Sequence, residues 1–206
     1  MKVGILALQG AVQPHEEKLK ELRVESVQVR YPDQLKEIRG IILPGGESTT
    51  MIHLLKLNQL WGPLKEFVQT QPTWGICAGS ILLANEVTHP SQESLNALEI
   101  TVERNSYGRQ NESFIDTLVA GETWKTFSSD PKPIEGVFIR APRIKKWSSN
   151  IQVVFEHRNE PVMVKKNHCL ASTFHPELTD SSLIHEYFLT LCLLDPYSYS
   201  RLSARK

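Results

Sequence analysis

The sequence predicts an α/β domain with a mainly parallel sheet covered by helices. Apolar runs of strand length alternate with stretches of helical pattern along the whole chain. Two of those runs end in glycine-containing turns that lead straight into helix-forming segments, at Leu43–Ser48 and at Gly75–Gly79. The chain has 206 residues, 40% of them hydrophobic and 22% charged, enough for one domain with a substantial core.

In order, Val3–Leu8 reads as the first strand, and a polar helix is expected near His15–Leu22. Val24–Val29 and Gly40–Leu43 read as strands. The second of these runs into the loop Pro44-Gly45-Gly46-Glu47-Ser48, where Ser48 or Thr49 can cap a helix reaching Leu57. Thr73–Ile76 is a short buried strand and Ala78–Ala84 a helix that follows almost without a gap. Between Glu99 and Ile139 lie several strand-like runs, separated by turn residues such as Asn105, Gly108 and Asp130-Pro131. Val153–Val154, Val162–Val164 and Leu170–Phe174 read as later strands, and Leu183–Leu194 as a final helix. There is no internal repeat and no long linker, so a single domain over 1–196 is expected, with a polar tail at Tyr197–Lys206.

Composition excludes several classes. Acidic and basic residues balance at 23 each, without the basic surplus of a nucleic-acid binder. No apolar run approaches the roughly 20 residues of a membrane span. The opening run of Met1–Gly10 reads as a buried strand, because the longer apolar region and cleavage site of a signal peptide are missing. Three widely spaced cysteines form no disulfide framework, and a reducing cytoplasm is their natural setting.

The strongest chemical signal is Trp74-Gly75-Ile76-Cys77-Ala78-Gly79-Ser80. Gly75-x-Cys77-x-Gly79 has the spacing of a nucleophile elbow, with sulfur in place of a hydroxyl. Side chains at the two glycines would crowd the neighbouring strand and helix. The N–H groups of the helix after Cys77 suit a thiolate and a tetrahedral oxyanion. Read alone, the segment is equally a buried cysteine between two packing glycines.

A cysteine nucleophile needs a base, and seven histidines are present. His175 opens His175-Pro176-Glu177 directly after an apolar run. Residues two apart at a strand end point to one side, so Glu177 can orient the imidazole. A lone His-Pro-Glu would be an ordinary polar turn; paired with the elbow it completes a triad. The Pro44–Ser48 loop lets backbone N–H groups approach a ligand closely, but no lysine follows, so it is not a phosphate loop. His168, Cys169, His175 and Glu177 lack metal-ligand spacing. Cys169 and Cys192 sit among apolar residues and read as core thiols.

Together these residues resemble the class I, triad-type glutamine amidotransferases. Finer motifs resemble the glutaminase subunits of pyridoxal 5′-phosphate synthases. They are Leu8-Gln9-Gly10, Pro44 through Thr50, Glu103-Arg104-Asn105-Ser106-Tyr107-Gly108-Arg109-Gln110, Val137-Phe138-Ile139-Arg140-Ala141-Pro142 and Phe174 through Thr179. The resemblance runs from about Lys2 to Phe188. It implies a three-layer, flavodoxin-like fold, with Cys77 as nucleophile, His175 as base and then acid, and Glu177 as orienter. It implies Gly46, Glu47, Ser48, Arg104, Ile139 and Arg140 at a glutamine site. Gly46 and Ala78 N–H groups would form an oxyanion hole with Gln9 beside them. It further implies a (β/α)₈-barrel synthase partner in a complex of twelve copies each, with ammonia passing to the barrel. The vitamer is then the partner's product, and this chain needs no cofactor and no metal. Gln13, His15 and Glu16 are expected at the surface, as contacts that relay docking to Gln9-Gly10. Ile76, Ser80 and Asn159-Glu160-Pro161 depart from the family's usual residues without touching the triad.

Overall fold

The computed structural model describes residues 1–104, 113–128 and 133–194. The expected turns at Asn105, Gly108 and Asp130-Pro131, the motif from Asn105 to Gln110 and the polar tail lie outside the described residues.

The strands are β1 (Lys2–Leu6), β2 (Glu25–Val29), β3 (Ile41–Leu43), β4 (Thr73–Ile76), β5 (Ala84–Thr88), β6 (Leu98–Glu103), β7 (Ser113–Ala120), β8 (Ile134–Ile139), β9 (Arg143–Trp147), β10 (Gln152–His157), β11 (Glu160–Lys166) and β12 (Cys169–Ser172). The helices are α1 (Val12–Glu21), α2 (Ser48–Leu57), α3 (Trp61–Thr70), α4 (Ala78–Leu83), α5 (Glu122–Phe127) and α6 (Leu183–Leu193). A nine-stranded sheet runs in the order β2-β1-β3-β4-β12-β11-β10-β7-β8, and a three-stranded sheet in the order β5-β6-β9. From β2 to β12 every pairing is parallel. From β12 to β8 every pairing is antiparallel.

The strand periodicity of two splits the core into two layers. Leu6, Ile41 and Leu43 face one side, against Met51 and Leu55 of α2, Leu64 and Val68 of α3 and Leu82 of α4. Ile5, Ile42, Trp74 and Leu170 face the other, against Leu19 of α1, Trp124 of α5 and Ile184 and Phe188 of α6. The result is the three-layer arrangement expected from the sequence. Each fully buried leucine or phenylalanine of these layers contributes about 1.5–3 kcal/mol.

Some expectations are corrected. The cap of α2 is Glu47, whose carboxylate accepts from Thr50 N–H, rather than Ser48 or Thr49. A carboxylate there gains from the helix dipole as well as from the hydrogen bond. Pro161 is not in a turn. Arg158 and Asn159, both with positive φ, make the hairpin bend, and Pro161 lies buried in β11. His15 is fully buried, not on the surface. Gln13 is exposed and bonds Glu17 at 2.8 Å.

The elbow packs as tightly as its glycines imply. A Cβ on Gly75 would lie 2.4 Å from the carbonyl oxygen of Gly79, and one on Gly79 would lie 2.0 Å from that of Leu43. Both obstacles are backbone atoms, which cannot turn aside. Gly79→Ala is therefore expected to cost roughly 1–3 kcal/mol through overpacking. That corresponds to a Tm drop of about 2–12 °C in a chain of this size. Gly62→Ala, with nothing within 4 Å of the added carbon, should move the melting curve far less.

Candidate active site

The carboxyl ends of four adjacent parallel strands, β1, β3, β4 and β12, converge on one cavity. This is where open α/β sheets place ligands. β1 delivers Gln9, β3 the Gly46-Glu47-Ser48 loop, β4 Cys77 and Ala78, and β12 His175 and Glu177. Ile139 and Arg140 come from the end of β8, which the alternating pairings orient the same way. The backbone N–H of His175 donates to Val137 O at 2.8 Å and ties that strand to the site. Arg104 follows β6 of the small sheet. All of these residues line a cavity of about 400 Å³.

Cys77 sits at φ 48°, in the left-handed region that a side-chain-bearing residue enters only when its surroundings enforce it. Its own N–H donates to Ser172 O at 2.8 Å, and Ser80 N and Oγ both donate to its carbonyl oxygen, at 3.1 and 2.7 Å. Ser80 thus braces the elbow. Ala78 opens α4, so its N–H has no carbonyl partner one helical turn back.

His175 Nδ1 lies 2.7 Å from Glu177 Oε1. A carboxylate only accepts, so Nδ1 carries the proton. Cys77 lines the same cavity and acts on this imidazole, and with Nδ1 engaged Nε2 is the atom left for sulfur. Burial works against the charged ring. The hydrogen bonds and charges of Cys77 and Glu177 outweigh it and push the His175 pKa up to about 10. Glu177 is 4% exposed. Burial would raise its pKa, but His175 and His15 hold it below the usual carboxylate value.

The Gly45-Gly46 peptide directs its carbonyl to Ala11 N–H, at 3.2 Å. In a planar trans peptide the Gly46 N–H then points the opposite way. Gln9 Oε1 accepts from Glu47 N–H at 2.9 Å and holds the start of the next turn. A Cβ on Gly45 would lie 2.4 Å from His175 Cε1, so only glycine lets the loop come this close to the ring. Arg104 is buried, with Nη2 3.2 Å from Glu47 Oε1. Burial opposes ionisation of Glu47, but Thr49, Thr50 and Arg104 together lower its pKa. Arg140 is exposed at the rim, with φ 45°. Ser48 Oγ donates to Gln92 Oε1 at 2.9 Å.

The sequence reading missed several residues here. Gly10, Ala11, Ile81, Pro142 and Leu178 also line the cavity. Pro142 belongs to a motif already visible in the sequence, whereas Gln92 carries no signal of its own. Cys169 and Cys192 are buried core thiols, both pushed up to about 12 by burial. Among the described residues no group of three or more His, Cys, Asp or Glu is arranged to hold a metal ion, and no helix is long and apolar enough to cross a membrane.

Comparison with known proteins identifies the family. The pyridoxal 5′-phosphate synthase subunit PdxT of Dictyoglomus turgidum is 49% identical over 197 residues, covering 93% of this chain and 99% of that protein. The same PdxT protein of Thermotoga maritima is 46% identical over 193 residues, with 93% and 99% covered. A crystal structure of a glutamine amidotransferase superposes with TM-score 0.83 at 38% identity, over 93% of this chain and 99% of that one. The family model of the SNO glutamine amidotransferases matches residues 5–194, and the chain belongs to that family.

Proposed function

We propose that the chain hydrolyses L-glutamine to L-glutamate and ammonia through Cys77, His175 and Glu177, and hands the ammonia to a pyridoxal 5′-phosphate synthase partner in the cytoplasm. The observation that carries the reading is the Glu177–His175 contact of 2.7 Å, in the cavity that Cys77 also lines. Cys77 Sγ attacks the side-chain amide carbon. The C–N bond breaks as His175 gives its proton to the amide nitrogen, which departs as ammonia. His175 then takes a proton from water, which adds to the thioester and releases sulfur and glutamate. The oxyanion is held by the Ala78 and Gly46 N–H groups. Arg104 and Arg140 pair with the α-carboxylate of glutamine, and Glu47 and Ser48 bind its amino end.

His175 can serve in both steps because its elevated pKa depends partly on Cys77. Once sulfur carries the acyl group its negative charge is gone. The imidazole then falls back toward the range where it accepts a proton.

The names of the relatives, subunits of a pyridoxal 5′-phosphate synthase, support a separate acceptor for ammonia. The acceptor is the (β/α)₈-barrel synthase, in a complex of twelve plus twelve copies. The Gly45-Gly46 peptide is held by a single 3.2 Å hydrogen bond to Ala11, beside the exposed start of α1. Docking against Gly10–Gln13 reorients that peptide and completes the oxyanion hole. Losing one such donor costs roughly 10²–10³ in kcat. Steady-state glutaminase activity is therefore expected to rise by about that factor as synthase is added without the barrel's own substrates. Equal kcat alone and in complex would instead mark a stand-alone hydrolase.

A further inference from the structure

We infer that His15 is a positioning residue for this reaction: it donates its Nε2–H to Glu177 Oε2, and His185 holds it in that tautomer by donating to His15 Nδ1. The inference rests on the glutaminase reading of the triad and adds a second tier behind it.

The Glu177 carboxylate is fully buried, and only one of its oxygens is occupied. Oε1 accepts from His175, while Oε2 has no hydrogen-bond partner. The nearest donor is His15 Nε2 at 3.8 Å, itself buried and equally without a partner. A buried carboxylate oxygen with no donor is costly, and so is a buried ring N–H with no acceptor. The gap is too short for an intervening water and a little too long for a hydrogen bond. A sub-ångström adjustment joins the two atoms, as happens when catalytic contacts tighten around substrate.

The tautomers propagate outward from the carboxylate. Glu177 accepts only, so His15 must carry its proton on Nε2. His15 Nδ1 is then an acceptor, and it lies 3.0 Å from His185 Nε2, which must donate. Both rings are kept neutral. Burial pushes His15 down to about 3 against the opposing charge of Glu177, and burial pushes His185 down to about 3 with help from Lys18. Trp74 of β4 fixes both rings edge-on, at 6.1 Å from His15 and 5.0 Å from His185. His15 comes from α1 and His185 from α6, so two helices of one layer clamp the carboxylate of a third segment. A neutral donor stabilises the Glu177 charge without competing with His175 for it.

The test uses the full chain with the synthase partner present and compares two variants. Asparagine places its oxygen where His15 Nδ1 is, so His15→Asn keeps the bond to His185 and loses only the arm to Glu177. Glutamine places its nitrogen where Nε2 is, so His15→Gln keeps that arm. His15→Asn is expected to lower kcat about 10- to 100-fold, in line with losing a hydrogen bond to a charged group, with KM for glutamine unchanged. His15→Gln should recover to within about threefold of wild type on the same basis.

The pH profile separates positioning from a general loss of structure. Removing a donor from a carboxylate raises the pH at which it takes a proton, so the acid limb of kcat should move up in His15→Asn alone. The groups bearing on that limb are His175, His15, His185 and Lys18, whose Nζ bonds Asp180 O at 3.2 Å and lies 3.5 Å from Glu21. Wild-type kcat and an unmoved acid limb in His15→Asn would overturn the inference. So would equal, pH-independent losses in both variants. If the wild type itself hydrolyses no glutamine, the glutaminase reading fails. The contact is then judged by the His175 Nδ1–H resonance of the folded chain without substrate. It should shift in His15→Asn and return in His15→Gln, and an unmoved resonance counts against the inference.

Discussion

Replacing Cys77 by alanine is expected to abolish glutamine hydrolysis and, in the same protein, to lower the His175 pKa from about 10. The loss should approach the roughly 10⁶ in kcat seen when a triad nucleophile is removed. The second effect arises because Cys77 helps to stabilise the imidazolium. Only Glu177 remains to oppose the desolvation of the ring once the sulfur is gone. NMR titration of His175 in wild type and in Cys77→Ala reads the shift directly. Cys192→Ala should keep most of the activity, since that thiol is 1% exposed in the layer of α6, away from the cavity. An electrophilic glutamine analogue should label Cys77 alone, because Cys169 and Cys192 are both buried and both held in the thiol form. Labelling mainly at either of them would sink the assignment.

The proposed triad was legible because each member sits in a short motif at a strand end, where local rules decide the geometry. Gly75 and Gly79 announce the elbow because backbone oxygens occupy the space their side chains would need. His175 and Glu177 are two apart, so one local turn makes their contact. The parallel strands were legible from apolar runs such as Thr73–Ile76, which matches β4 residue for residue. Where long-range packing decides, the sequence was less informative. α3 follows α2 after a three-residue break and was not anticipated, because it starts with Trp61-Gly62-Pro63, where glycine and proline give no helical signal. α1 reads as a polar surface helix, yet its buried residues are His15, Lys18 and Leu19. Its inward face is polar because it meets Glu177, His185 and the Asp180 carbonyl, partners more than 150 residues away. Helical periodicity reports apolar faces, so a polar face turned inward gives no signal.

His175→Asn is expected to remove nearly all turnover with the fold intact, roughly 10⁶ in kcat, whereas Glu177→Gln should lose less, on the order of 10⁴. Asparagine can still donate toward Glu177 from the position of Nδ1, so the buried carboxylate keeps a partner and the chain should melt normally. Nothing then stands at the position of Nε2 to take the sulfur's proton or to pass it to the amide nitrogen, which can leave as ammonia only once protonated. Glutamine at 177 keeps the imidazole but weakens its orientation. If its oxygen faces His175, its amide nitrogen faces His15, and two donors meet unless His15 moves its proton to Nδ1. That shift would break the bond from His185, now made at 3.0 Å. If the amide is reversed, the wrong His175 tautomer is favoured, as when a triad aspartate becomes asparagine. Either arrangement removes the negative charge that helps hold His175 protonated, so its pKa should fall in Glu177→Gln. The measurement is kcat and KM against pH for the two variants beside wild type. A His175→Asn protein with near wild-type kcat would mean that another histidine is the base, and the 2.7 Å contact with Glu177 would then be structural.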